Sequence, residues 1–236
     1  MFRWLQREPK ELIERRQALT PALVGYPLYQ PPHRQGPNFL RRRQSQTEEA
    51  YVSYIHEFVA RGEQNFLYFM EQRATRLAAL QMFLSKFGVS ASLDDAGLAS
   101  VSTWFPDHDY ALVGTLRDPA VRQAFYQVQT PWTDEILGLN VIFDLGVFLG
   151  ESLIKEQSRL HWKYIPGSSD HGESFGTGYH IEGFRRKTKG DWLDPGEFIL
   201  SRCILDLNDL YSYSPRPRAL RNYDIFVGVI RDYSTR

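Results

Sequence analysis

PWTDEILGLNVIFDLGVFLGESLIKEQSRLHWKYI, running from Pro131 to Ile165, is the stretch whose reading decides the fold. Trp132, Ile136, Leu139, Phe143, Gly146, Gly150 and Leu153 recur at steps of three and four, the spacing of one helix face. Val141, Ile142, Leu145, Val147 and Leu149 fill much of the remaining circumference, and a helix apolar nearly all round is a buried one. Thr130 suits an N-cap with Pro131 at the first helical position. Asp134 and Glu135 then lie in the first turn, where carboxylates meet the positive end of the helix dipole. Gly138, Gly146 and Gly150 each cost roughly 1 kcal/mol against alanine inside a helix, so they predict close approach of another helix or of the sheet. Asn140, Asp144, Glu151 and Lys155 form a polar strip. Asp144 and Glu151 stand about 10 Å apart along the axis, too far to share a metal directly. The strip reads as paired or solvated residues rather than as a catalytic set. Beyond the helix, His161-Trp162-Lys163-Tyr164-Ile165 alternates as a strand, with His161 and Lys163 on one face and Trp162 and Tyr164 on the other.

On the N-terminal side, Glu8 to Leu19 reads as a charged helix. Thr20 to Asn38 carries Pro21, Pro27, Pro31, Pro32 and Pro37, which favour an extended path. Leu23, Val24, Tyr26, Leu28 and Tyr29 predict that this path is draped over the body. Thr47 caps the next helix, whose apolar face is Tyr51, Tyr54, Ile55, Phe58 and Val59, and Gly62 is expected to break or bend it. A second helix is expected from Glu63 to Phe87, with Gly88 at its C-terminal turn. Ser92 is read as the cap of a further helix, stopped by Pro106, and a short helix is expected from Asp118 to Tyr126.

On the C-terminal side, Tyr179 to Arg185 is the returning strand of a hairpin with a long connection. Asp194-Pro195-Gly196-Glu197 opens a helix with Phe198, Ile199, Cys203, Ile204, Leu207 and Leu210 inward, ended by Pro215 and Pro217. Asn222 to Tyr233 is apolar at its centre and open between strand and helix. The predicted architecture is α+β, mainly helical, with a small antiparallel sheet packed on a central apolar helix. Residues 1–46 are read as a basic, proline-rich arm packed on the body, and residues 47–236 as a single α+β domain.

The chain is 42% hydrophobic and 14% aromatic, ample for a core, and its 28 basic and 28 acidic residues balance. The basic residues cluster all the same. Residues 1–43 hold nine Lys/Arg against three acids, and Arg185, Arg186, Lys187 and Lys189 form a second group. Five arginines against two aspartates mark residues 214–236. Cys203 is the single cysteine, which rules out an internal disulfide and any site built on several thiolates. The first residues lack the apolar core of a signal peptide. No run approaches the ~18 uncharged apolar residues of a membrane span. A cytoplasmic protein without membrane attachment is expected.

Residues 166–178, PGSSDHGESFGTG, are the richest candidate for chemistry. Gly172-Glu173-Ser174-Phe175-Gly176 matches GxSxG. A nucleophile elbow needs a strand directly before and a helix directly after, whereas this motif sits inside a Gly/Ser loop and leads into a strand. No Walker lysine follows the glycines. His161, His171, His180, Asp170 and Glu173 fall within twenty residues and could form an acid–base or metal cluster, but their spacing fits no zinc pattern. Asp107-His108-Asp109 is a second place where carboxylates flank a histidine, although adjacent residues rarely aim at one centre. No catalytic residue, metal or cofactor is assigned. The candidate binding residues are Asp170, His171, Glu173, Phe175, His161 and His180, a polar set around an exposed aromatic suited to contacting a partner protein.

The run Asp144-Leu145-Gly146-Val147-Phe148-Leu149-Gly150-Glu151, followed by Trp162, resembles bacterial domains with an LGxxLGE helix and a tryptophan-bearing strand. Some of those are immunity or accessory proteins of toxin systems. The resemblance covers about 20 residues, mostly ones that pack. It implies a non-enzymatic factor that occludes a protein partner. The alternative is a hydrolase or metal-assisted enzyme using the 161–180 hairpin. Nucleic-acid binding through the basic termini is a further reading.

Overall fold

The computed structural model describes residues 9–33, 47–113, 137–165, 178–184, 192–210 and 225–234. They form α1 (Lys10–Leu23), α2 (Glu48–Ser85), α3 (Asp95–Trp104), a single 3-10 turn (Phe105–Asp107), α4 (Asp109–Leu112), α5 (Leu137–Glu156), β1 (His161–Tyr164), β2 (Tyr179–Glu182), α6 (Pro195–Leu210) and α7 (Ile225–Ser234). The fold is therefore mainly helical with one small antiparallel sheet, as the apolar periodicity predicts.

α5 is the hub. Val141, Ile142, Leu145, Phe148, Leu149 and Leu153 are all fully buried, because α2, α4, α6 and α7 surround the helix. Its glycines stand at the tightest of these contacts. A Cβ on Gly146 would lie 2.7 Å from Gly196 Cα at the start of α6, and one on Gly138 would overlap the Leu112 carbonyl. A Cβ on Gly150 would collide with the Trp162 ring of β1. The proposed start of this helix at Thr130 and Pro131 lies outside the described residues.

α2 runs 38 residues without interruption, so Gly62 neither breaks nor bends it into two helices. Gly62 is buried beneath the Tyr164 phenol, where any side chain would overlap the ring. The glycine answers a tertiary contact, and helix propensity alone misreads it. The ends of α2 follow local rules. Thr47 accepts a hydrogen bond from the Ala50 N–H, and Gly88, at φ +71°, lets the Val89 N–H return to the Leu84 carbonyl at 3.1 Å.

Two further boundaries differ from the sequence reading. α1 continues through Pro21 to Leu23 instead of ending at Leu19. Proline in the last turn forfeits only its own N–H bond, Leu19 and Ala22 are buried, and Lys86 Nζ caps the Ala22 carbonyl at 2.8 Å. The cap of α3 is Asp94, which accepts from the Gly97 N–H at 2.9 Å, while Ser92 Oγ donates to that same carboxylate oxygen at 2.7 Å. Ile225–Ser234 is helical, with Phe226 buried against Phe105 and Phe148.

The segment after α1 is strapped over α2 and α5. Tyr26 and Tyr29 are buried and Val24 is exposed. Side chains of the helices bond its main chain: Asn140 Oδ1 accepts from the Tyr29 N–H at 2.7 Å, Arg76 donates to the Pro27 carbonyl at 2.8 Å, and Asn65 makes both amide bonds to His33. Extended backbone outside a sheet still needs partners when buried, and these three polar residues supply them.

Candidate functional site

β1 and β2 pair antiparallel, with His161 opposite Glu182 and Lys163 opposite His180. Period-two alternation in β1 turns Trp162 inward, where its Nε1 donates to Glu151 at 2.7 Å. His161 and Lys163 face outward, and Lys163 pairs with Glu182 at 2.9 Å. β2 departs from alternation, since Tyr179, His180 and Ile181 are all buried. The cause is an isolated bridge on the far side of β2. Ile181 and Leu193 exchange two backbone bonds, and the neighbouring Trp192 lies over the His180 ring at 4.2 Å.

His161 and His180 thus share a hairpin face but not an environment: the first is exposed, the second is closed beneath Trp192. His180 Nε2 stands 3.7 Å from Asp194 Oδ2, and Asp194 Oδ1 caps α6 through the Glu197 N–H at 2.9 Å. Burial pushes the His180 imidazole down to about 4, with Glu182 pulling the other way, so the ring is neutral at neutral pH. Asp170, His171, Glu173 and Phe175, with the GxSxG serine Ser174, lie outside the described residues, as do the basic groups 41–43 and 185–189.

A pH dependence follows from His180. Its folded pKa lies below that of an unfolded histidine, about 6.5, so the unfolded chain binds the extra proton first. The stabilisation from keeping this ring neutral is whole above about pH 6.5 and is lost as pH falls towards 4, by roughly 3 kcal/mol. His180→Phe, which keeps the stack on Trp192, should show a shallower acid loss in urea denaturation between pH 7 and pH 4. Parallel curves for the two proteins would contradict this origin.

The remaining buried ionisable groups hold elements together. Arg76 reaches Asp144 through both carboxylate oxygens at 2.7 Å each, and the Tyr26 hydroxyl donates to the same group at 2.5 Å. Burial pushes the Asp144 carboxyl up to about 6, opposed by Arg76 and Tyr26, so the pair is ionic at neutral pH. Glu151 pairs with Arg73. Asp144 and Glu151 of the α5 strip are therefore paired, and Asn140 and Asp144 are buried instead of solvated.

Asp107, His108 and Asp109 do not converge. His108 stacks on Trp104 at 4.6 Å, while Asp109 turns inward to Asp206 of α6. Burial, with Asp206 alongside, raises Asp109 well above the usual carboxylate range. Arg202 pairs with Asp206 at 3.1 Å. Burial likewise raises the Cys203 thiol beside these acids. Among the described residues no three His, Cys, Asp or Glu side chains form a group that could hold a metal ion, and no helix is long and apolar enough to cross a membrane.

Sequence reasoning missed Trp192. Its signal was slight: a lone aromatic two residues before the Asp194 cap, 44% exposed although its ring is fixed on His180. Comparison of the chain with known protein families, with characterised proteins and with solved structures finds no match.

Proposed function

We propose that this chain is a non-enzymatic binding protein of the immunity or accessory type, acting in the cytoplasm by covering a surface of a partner protein. The observation that carries the reading is Trp192. An indole held in place by a buried histidine and by the Ile181–Leu193 bridge, yet nearly half open, is pre-organised as a contact anchor. His161 and the Lys163–Glu182 pair lie on the same side of the hairpin and provide a polar rim. The LGxxLGE helix followed by Trp162 supports the class of protein, and the polar groups and Phe175 of the 166–178 segment suit the same task.

The test begins with the tagged full chain as bait in extract of its own host, followed by titration of the captured protein in purified form. Trp192→Ala should weaken that complex tenfold or more, as loss of an aromatic hot spot does, in a chain that remains folded by circular dichroism. Equal affinity of Trp192→Ala and the native chain would count against this surface. Labelling of Ser174 by a fluorophosphonate, abolished in Ser174→Ala, would establish the hydrolase instead.

A further inference from the structure

Trp192 rests on a ring that can change its charge. The indole lies over the His180 imidazole with 4.2 Å between centroids and 29° between planes. His180 is buried, and its two nitrogens meet different surroundings. Nε2 stands 3.7 Å from Asp194 Oδ2, whereas Nδ1 is buried with no hydrogen-bond partner among the described residues. We propose that His180, Trp192 and Asp194 form an acid-sensitive latch, in which a proton taken up by His180 releases the Trp192 indole. Its consequence for partner binding rests on the reading of Trp192 as the contact anchor; the release itself does not.

The two ring nitrogens carry the inference. Neutral imidazole has one N–H and one bare nitrogen. With the hydrogen on Nε2, facing Asp194, the closed latch buries at Nδ1 only a neutral acceptor. Protonation turns Nδ1 into a donor on a charged ring, and a buried charged donor without an acceptor is far more costly. The closed latch offers it none. An imidazolium is attracted to an indole face, but that attraction acts across the ring plane and supplies no acceptor for an N–H lying in it. Lifting the indole lets water do so.

The charged and titratable groups around the ring come from three elements. Asp194 and Glu197 stand at the start of α6, Glu182 on β2, and His161 and Lys163 on β1. Lys163 pairs with Glu182 at 2.9 Å, and Asp194 Oδ1 accepts from the Glu197 N–H. Asp194 Oδ2 attracts the Nε2–H of the cation, and closing the 3.7 Å gap to hydrogen-bond distance shifts the imidazole beneath the indole. Covered, the ring titrates at about 4; open to water it titrates at about 6.5. The open state therefore binds the proton better, the closed state is favoured above about pH 6.5, and that preference is lost as pH falls towards 4. Between pH 7 and pH 5 the ratio of released to held Trp192 should rise roughly twentyfold.

The experiment uses the full chain labelled with fluorotryptophan. Its five tryptophans give five fluorine resonances, and Trp192→Phe identifies one of them. As pH falls from 7 to 4 the Trp192 resonance should move and gain a solvent isotope shift in D2O, as an indole entering water does. The Trp162 resonance, on the inner side of the hairpin, should stay in place. The His180 ring, followed by its own proton–carbon resonance, should titrate with the same midpoint. His180→Phe, which keeps Asp194 and Glu197, should abolish the movement; the ring titration in the native chain serves if that variant fails to fold. With the captured partner, the dissociation constant should rise in step with the released fraction in the native chain and not in His180→Phe. A Trp192 resonance that stays still while His180 titrates, one that moves alike in His180→Phe, or unfolding of the whole chain before His180 titrates would overturn the latch. A latch that opens as expected, in a chain whose partner affinity ignores Trp192→Ala, would keep the latch and remove the anchor.

Discussion

Arg76→Met should destabilise the protein by about 3–5 kcal/mol at neutral pH, the cost of leaving a buried charge without its partner. Asp144 is wholly buried on α5, and Arg76 satisfies both its oxygens while also holding the Pro27 carbonyl of the strap. Methionine fills much of the volume but donates nothing, so Asp144 is left with the Tyr26 hydroxyl. The carboxyl, already raised to about 6 by burial, must rise further once the guanidinium that lowered it has gone. The folded variant then holds a proton more tightly than the unfolded chain, whose aspartate titrates near 3.9. Its stability should therefore increase as pH falls from 7 through that raised value, and the deficit against the native protein should shrink. Adding Asp144→Asn should recover part of the loss, since no charge remains buried. Urea denaturation at pH 7 and pH 5 decides the matter. A deficit under about 1 kcal/mol, or one equal at both pH values, would show that the pair is worth no more than a surface bridge.

Gly146→Leu is the second large effect expected, roughly 3 kcal/mol or more, at the upper end of overpacking costs. The atoms in the way are main chain, Gly196 N at 2.8 Å and Cα at 2.7 Å, and cannot rotate aside. They belong to the first turn of α6, which Asp194 caps while meeting His180, so displacing them disturbs the hairpin as well. Gly150→Leu should cost less, about 1–3 kcal/mol. There the obstacle is the Trp162 ring, which can shift if it gives up its bond to Glu151. Melting temperatures of the two variants test the order. An unchanged melting temperature in Gly146→Leu would remove the argument for backbone contact between α5 and α6.

Local chemistry was legible in the chain itself. The apolar periodicity of α5, the Thr47 and Asp194 caps, the Gly88 terminus and the alternation of β1 all follow from interactions within a few residues. Such terms read the same in any context. Glycines 146 and 150 were also informative, because a helix accepts their cost only where something else needs the space.

What the tertiary structure alone decided are the long-range partners. Gly62 looks like a break until Tyr164, far along the chain, is seen lying on it. Asp144 and Glu151 look like a strip either paired or solvated until Arg76 and Arg73 arrive from α2. His161 and His180 look equivalent until Trp192 closes over one of them. In each case the residue type is compatible with two environments whose free energies differ only through contacts made by distant segments. Sequence spacing carries no record of which segment comes to lie alongside, so burial and pairing emerge with the fold.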